Sequence, residues 1–227
     1  MSIWSRIGDA LRALKDGEPL SAVFDALRSP PEQSVAFTIA VIALGAKLAK
    51  ADGTVTRTEV SAFREVFVIP VEDEAAAARV FNLARQDVAG FEDYARRIAR
   101  MFGNQPETLA DLLEGLFHIA IADGDYHALE DGFLERVATI FGIDERGFNR
   151  IRSRLVPNAE PDPWQVLGVT PNMPMEEIRA VWRRELKENH PDVLIGRGLP
   201  IEAQQLAEKR LMAVNRAWEK IRQAEGV

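Results

Sequence analysis

Cysteine is absent from the 227 residues, which excludes disulfides, thiolate catalysis and Cys-ligated zinc. No uncharged apolar run reaches the roughly 18–20 residues needed to span a bilayer. The longest apolar stretch, Val35–Ala46, reads instead as a buried helix. The N-terminus lacks the order of basic, apolar and small-residue regions that marks a signal peptide, so the expected location is the cytoplasm. Clustered positive charge is scarce as well. The formal net charge is -7, which argues against general nucleic-acid binding, because neutralising phosphates takes grouped Lys and Arg. No stretch offers the alternation of a β-strand. What remains is 47% hydrophobic, normal for a chain that buries a core, and long enough for one large domain or two small ones.

The charge is unevenly spread. Residues 1–159 hold 18 basic and 24 acidic side chains, while residues 160–227 hold 10 and 11. Acidity therefore belongs to the N-terminal two-thirds, and the C-terminal part gathers its basic residues on one helix.

Helical periodicity runs through the chain. Ser2–Leu14 sets Ile3, Trp4, Ile7, Leu11 and Leu14 on one face. That face suits either docking on the following domain or a membrane surface. Residues 3–14 are the only segment suited to membrane contact, which would place the protein peripherally at the inner membrane face. Pro31 and Glu32 open a long helix to about Lys50. Further helices are predicted at roughly 57–68, 73–87, 91–102, 105–121, 128–141 and 144–154, punctuated by Asp52-Gly53, Gly90, Gly103-Asn104, Asp123-Gly124 and Gly142. Val156–Pro163 is Pro-rich and polar, and such segments are extended and semi-rigid, so it is expected to hold its neighbours apart.

An internal repeat lies within the helical region. Leu48–Gly53 is followed by Glu59 seven residues after Asp52, and Ile119–Gly124 is followed by Glu130 at the same distance from Asp123. The offset of 71 residues also pairs Phe63 with Leu134 and Val66 with Val137. Each half reads as helix, Asp-Gly turn, helix. Two such hairpins about a pseudo-twofold axis could bring Asp52, Glu59, Asp123 and Glu130 together. One reading makes each Asp a turn former or cap and each Glu a first-turn residue favoured by the helix dipole. The other makes the quartet an oxygen-lined cation site, with Asp125 and His127 as further donors; calcium or magnesium would suit it better than zinc. An EF-hand does not fit the spacing, and nothing requires a cofactor.

Near the C-terminus His190-Pro191-Asp192 interrupts a helical pattern. Met175–Asn189 repeats Ile178, Val181, Trp182 and Leu186 at helical spacing, and Pro200–Gln223 resumes it with Ile201, Leu206, Leu211, Val214, Trp218 and Ile221. Pro191 disfavours helix at the residue before it, so a loop is expected there. His190 beside Asp192 does not read as an acid–base pair, since no nucleophile, oxyanion donor or pocket signature accompanies it. No Gly-rich phosphate loop occurs either. The chain reads as a binding module rather than an enzyme.

Those two helices and their His-Pro-Asp loop resemble the J-domain of the DnaJ co-chaperone family. Further elements in register carry the resemblance: Pro163–Val169 is similar to the first helix and turn, Trp182-Arg183-Arg184 to an aromatic-basic-basic element, and Asn215–Trp218 to an Asn-x-Ala-aromatic element. The Ala-Asp-Gly repeat resembles the TerB fold of tellurite-resistance proteins, whose acidic turns that family treats as a metal site. A TerB-like domain before a C-terminal J-domain is similar to the DjlA branch of DnaJ-like proteins. The branch typically carries an N-terminal transmembrane segment; this sequence has no such run.

The resemblance implies an all-α protein. Residues 1–29 would be an N-terminal amphipathic helix and extension, and 30–155 a TerB-like helical domain with the pseudo-twofold repeat. A Pro-rich linker would follow at 156–162, then a J-domain with an antiparallel helical hairpin at 163–227. It implies docking on a DnaK-type heat-shock chaperone and stimulation of its ATPase, the TerB-like domain binding unfolded or specific clients or sensing a metal. His190, Pro191 and Asp192 would contact the chaperone, and Arg179, Arg183, Arg184 and Lys187 would steer the approach to an acidic patch. The competing reading is a metal-binding stress-response protein, like those of tellurite resistance, whose J-like part only mediates assembly. Three residues depart from the J-domain pattern: Glu185 for a Leu, Val193 for a Lys and Asn189 for an aromatic. Glu185 is expected to weaken the packing or dilute the basic face.

Overall fold

The computed structural model describes residues 3–14, 18, 20–27, 32–51, 69, 71–86, 90–122, 124–156, 161–196, 200 and 204–226. The protein is all-α, and no strand occurs among the described residues. The helices are α1 (Ile3–Ala13), α2 (Val23–Ala26), α3 (Glu32–Ala51), α4 (Glu74–Gln86), α5 (Phe91–Phe102), α6 (Pro106–Ala120), α7 (Ala128–Phe141) and α8 (Glu145–Leu155). They continue as α9 (Pro163–Leu167), α10 (Met175–Glu188), α11 (Pro191–Gly196) and α12 (Gln204–Glu225). Helices α4 to α8 match the expected ones to within a residue or two. The helix expected at 57–68 lies outside the described residues.

α3 is the axis of the larger module. It is apolar on every side, and a helix of that kind is stable only when surrounded. Residues 35–49 are all buried, against α1, α4, α5, α6 and α7. α6 is nearly as enclosed: Leu112, Leu113, Leu116 and Phe117 are wholly inaccessible. α5 shows the contrasting surface design, burying Tyr94, Ala95, Ile98 and Phe102 and turning Arg96 outward to pair with Asp93 and Glu92. The apolar stripe of α1 belongs to the same core, with Trp4, Ile7 and Leu11 buried and α1 packed on α3 and α4. Of its two sequence readings, docking on the domain is the one observed. No helix among the described residues is long and apolar enough to cross a membrane.

The smaller module begins with α9. Asp162 caps it, accepting from the Trp164 amide at 3.0 Å, and Pro163 takes the first helical position, where no amide hydrogen is needed. Gly168 closes it at φ 70°, and its amide and that of Val169 donate back to Gln165 and Trp164. The module has its own core of Val166, Leu167, Val169, Ile178, Val214, Ala217, Trp218 and Ile221. Trp182 stacks on Trp218 with ring centroids 5.0 Å apart, and its indole N–H donates to Asn215 Oδ1 at 3.0 Å. The Trp and Asn singled out in the sequence are thus partners across α10 and α12.

The Pro-rich connection does not keep the modules apart. Leu194 of α11 and Leu206 and Ala207 of α12 join the core of the larger module rather than their own, and α9 packs on α8. Proline content speaks for the stiffness of the connection alone; whether the modules meet is decided by the faces they present.

Gly168 sits at that meeting. A Cβ there would lie 2.9 Å from Arg150 Cδ of α8, whereas one at Gly142, also left-handed at φ 76°, would touch nothing. Gly142→Ala is expected to cost about 1–2 kcal/mol, the strain of a left-handed L-residue. Gly168→Ala should cost more, because Arg150 must also move. Urea denaturation of both variants measures the difference; equal losses would show that the approach of Arg150 is not constraining.

Candidate partner-docking surface

His190-Pro191-Asp192 is better ordered than the loop expected from sequence. Asn189 ends α10, its amide donating to Glu185 O at 3.1 Å. Pro191 then starts α11 instead of occupying an open turn. The reason is that helix initiation tolerates proline, whose missing N–H would be unpaired there anyway. His190 O accepts from the amides of Val193 and Leu194 at 2.9 and 3.1 Å. Its Nδ1 accepts from the Asp192 amide at 3.3 Å, so the imidazole caps the helix that carries the aspartate. The carboxylate of Asp192 lies 3.7 Å from the same nitrogen. The side chains of His190 and Asp192 are 59% and 87% exposed.

The basic residues leading to this segment also face solvent. Arg179, Arg183, Arg184 and Lys187 are all exposed; Arg179 lies over the Trp218 ring at 5.9 Å, and Arg184 reaches Glu188 at 4.0 Å. The seven residues expected at the docking surface thus lie on α10, in the junction that follows it and at the start of α11.

Glu185 does not dilute that surface. It points to the other side of α10 and is 5% exposed, with Arg154 at 2.8 Å and Arg150 at 3.3 Å, both from α8. Burial alone would raise its pKa, but Arg154 and Arg150 outweigh burial and hold the carboxyl below its usual value. Asn189, one helical turn on, donates to Glu185 O at 2.7 Å and accepts from Arg210 of α12. Arg210 in turn pairs with Asp111 at 2.7 Å and Glu114 at 2.6 Å on α6. Arg154 also donates to Val166 O of α9 at 2.9 Å. Of the three departures from the J-domain pattern, Glu185 therefore contacts the larger module directly, and Asn189 does so only through Glu185 and Arg210.

Sequence reasoning missed Asp111, Glu114, Arg150, Arg154 and Arg210, though a signal existed. Asp111 and Glu114 interrupt a helix apolar all round, and charges so placed must be buried and matched. Arg210 likewise takes the buried position that periodicity assigned to Leu211, which is only half-buried.

Of the expected cation ligands, Asp52, Glu59 and Asp123 lie outside the described residues. Glu130 is described, and its carboxylate accepts from the His127 amide at 2.9 Å in a reciprocal cap at the start of α7. The neighbouring Asp131 accepts from Tyr126 at 2.7 Å and lies 3.3 Å from Arg152. Among the described residues no group of three or more metal-capable side chains occurs.

With this geometry in view, the comparisons with known proteins are informative. The chain belongs to the family of the tellurite resistance protein TerB, which matches residues 38–153, half of its length. Across most of that length it is homologous to proteins named co-chaperone protein DjlA. The one from Photobacterium profundum is 26% identical, covering 86% of this chain and 80% of its own. The Vibrio cholerae protein is 25% identical over 96% and 88%, and that of Coxiella burnetii 27% over 79% and 74%. No solved structure matches the chain.

The interface leaves a titratable group poised for test. His118 of α6 is buried, and burial, then Lys209 and Arg210 of α12, depress its pKa from 6.5 to about 3. The unfolded chain accepts a proton that the native one refuses, so stability is complete above pH 6.5 and falls as pH drops toward 3. The expected slope is about 1.4 kcal/mol per pH unit. Urea titrations between pH 7 and 5, above the range in which Glu185 contributes, should show this slope in the wild type and lose it in His118→Leu. A slope that survives the substitution would place the proton elsewhere.

Proposed function

We propose that the protein is a co-chaperone whose C-terminal module docks on a DnaK-type chaperone and stimulates its ATP hydrolysis. The observation that carries this reading is the His190-Pro191-Asp192 segment at the end of a solvent-facing basic helix, with the side chains of His190 and Asp192 exposed. Homology to DjlA co-chaperones over most of the chain supports it.

Each part has a physical task. Arg179, Arg183, Arg184 and Lys187 attract an acidic patch on the partner and raise the encounter rate, an effect that added salt screens. Asp192 offers its carboxylate to a partner cation, and the His190 cap fixes the helix start from which it projects. Hydrolysis belongs to the partner; this chain contributes a contact whose binding energy differs between the partner's states, which is what allosteric activation requires. The TerB domain is the part left to hold a client, and the cytoplasm is the location that fits this partnership.

Single-turnover ATP hydrolysis by a DnaK-type chaperone tests the reading. Wild-type protein should accelerate hydrolysis within the roughly 5- to 150-fold span of ordinary allosteric couplings, and His190→Gln should abolish the effect. Arg183→Glu with Arg184→Glu should raise the concentration needed for half-maximal stimulation and flatten its salt dependence. Binding without stimulation by wild-type protein would favour the alternative, a stress-response interaction protein whose J-like part only mediates assembly.

A further inference from the structure

We infer that Glu185, Asn189 and Arg210, with Arg150, Arg154, Asp111 and Glu114, form an intramolecular clasp that sets the orientation in which His190-Pro191-Asp192 is presented. The clasp is a property of this chain's interface, and its consequence for stimulation rests on the co-chaperone reading.

Three guanidinium groups meet three carboxylates across the interface. Arg150 and Arg154 of α8 hold Glu185 of α10, while Asp111 and Glu114 of α6 hold Arg210 of α12. The smaller module thus supplies one charge of each sign, the larger module supplies two groups against each, and the two sites have opposite polarity. A sliding or rotated docking would place Glu185 near the carboxylates of α6 or Arg210 near the arginines of α8. Apolar contact through Leu194, Leu206 and Ala207 gives adhesion but tolerates several arrangements; the charges select one.

Asn189 links the two pairs and adjoins His190 in the chain. Its amide nitrogen donates to the Glu185 backbone and, at 3.3 Å, to the Glu185 carboxylate, and its carbonyl accepts from Arg210. This side chain therefore ties together the two residues of the smaller module, Glu185 and Arg210, that meet the charges of the larger one. Just beyond, Leu194 anchors α11 in the core of the larger module. The docking segment is pinned on both sides, by Asn189 before it and Leu194 after it, while His190 and Asp192 stay in solvent.

Glu185, Asn189 and Arg210 are positioning residues in this account, since none faces the partner. Glu185→Leu is the informative variant: it restores the residue of the J-domain pattern, so the smaller module keeps its own core, but it leaves the buried Arg154 without its carboxylate. The chain has no cysteine, so Leu129→Cys on α7 and Met212→Cys on α12, both exposed, give one spin-label pair across the modules. Electron–electron double resonance should show a single narrow distance distribution in the otherwise native chain and a broad one with Glu185→Leu, at unchanged helical circular dichroism. In the ATPase assay Glu185→Leu should lower maximal stimulation by about fivefold, within the range of a coupling term. The half-maximal concentration, set by the basic face, should hold. An unchanged distance distribution would overturn the clasp. A broadened one with full maximal stimulation would overturn its positioning role. Wild-type protein that fails to stimulate would remove the co-chaperone reading, and the distance measurement would still decide whether the clasp exists.

Discussion

The arrangement of the whole molecule depends on a small set of buried charges. Removing an ion pair from water costs several kcal/mol per ion, and only close geometry with further hydrogen bonds returns it. The contacts of Glu185 and Arg210 meet that condition: each has two oppositely charged partners, and Asn189 ties the two sites together. Such a network adds little net stability compared with an apolar interface of the same size. Its effect is on uniqueness, because a misplaced partner leaves a charge buried and uncompensated. The apolar contacts bring the modules together, and the ionic ones decide how.

This division of labour explains how one helix serves two surfaces. α10 turns Arg183, Arg184 and Lys187 to solvent and Glu185 to α8, so the proposed recognition of a partner and the attachment to the TerB domain use different sides of the same element. Asn189, which holds Glu185 and Arg210, immediately precedes His190, so under the proposed function a client on the larger module would stand in a defined relation to the contact that triggers hydrolysis.

Much of the fold was legible in the sequence because helices announce themselves locally. The period of apolar residues located α3 to α8, while α9 was placed by the resemblance of Pro163–Val169 to the first J-domain helix and turn; the caps that bound it, Asp162 and Gly168, emerge from the structure. Trp182 and Asn215–Trp218 were recognisable as two separate elements, and the structure brings them into one unit. The docking of the modules was not legible, because complementarity between distant faces leaves no periodic trace: Glu185 looked like a blemish on a basic helix, and only the nearness of Arg154 gives it a purpose. Pro191 misled for a related reason. A proline after a helix signals interruption equally well whether a loop follows or a new helix begins. The acidic turns of the repeat suggested either a shared cation site or local caps; Asp52, Glu59 and Asp123 lie outside the described residues, and Glu130 accepts from the His127 amide.

Matched buried charges join the TerB domain and the His-Pro-Asp module into one body. Scanning calorimetry of the intact chain at neutral pH tests this most directly, since the two cores share Arg154, Glu185 and Arg210 at their boundary. A single transition whose calorimetric and van't Hoff enthalpies agree is the expected result, because cooperative unfolding requires the interface to couple the cores. Two separable transitions, with the smaller module melting independently and leaving the larger one intact, would contradict the account.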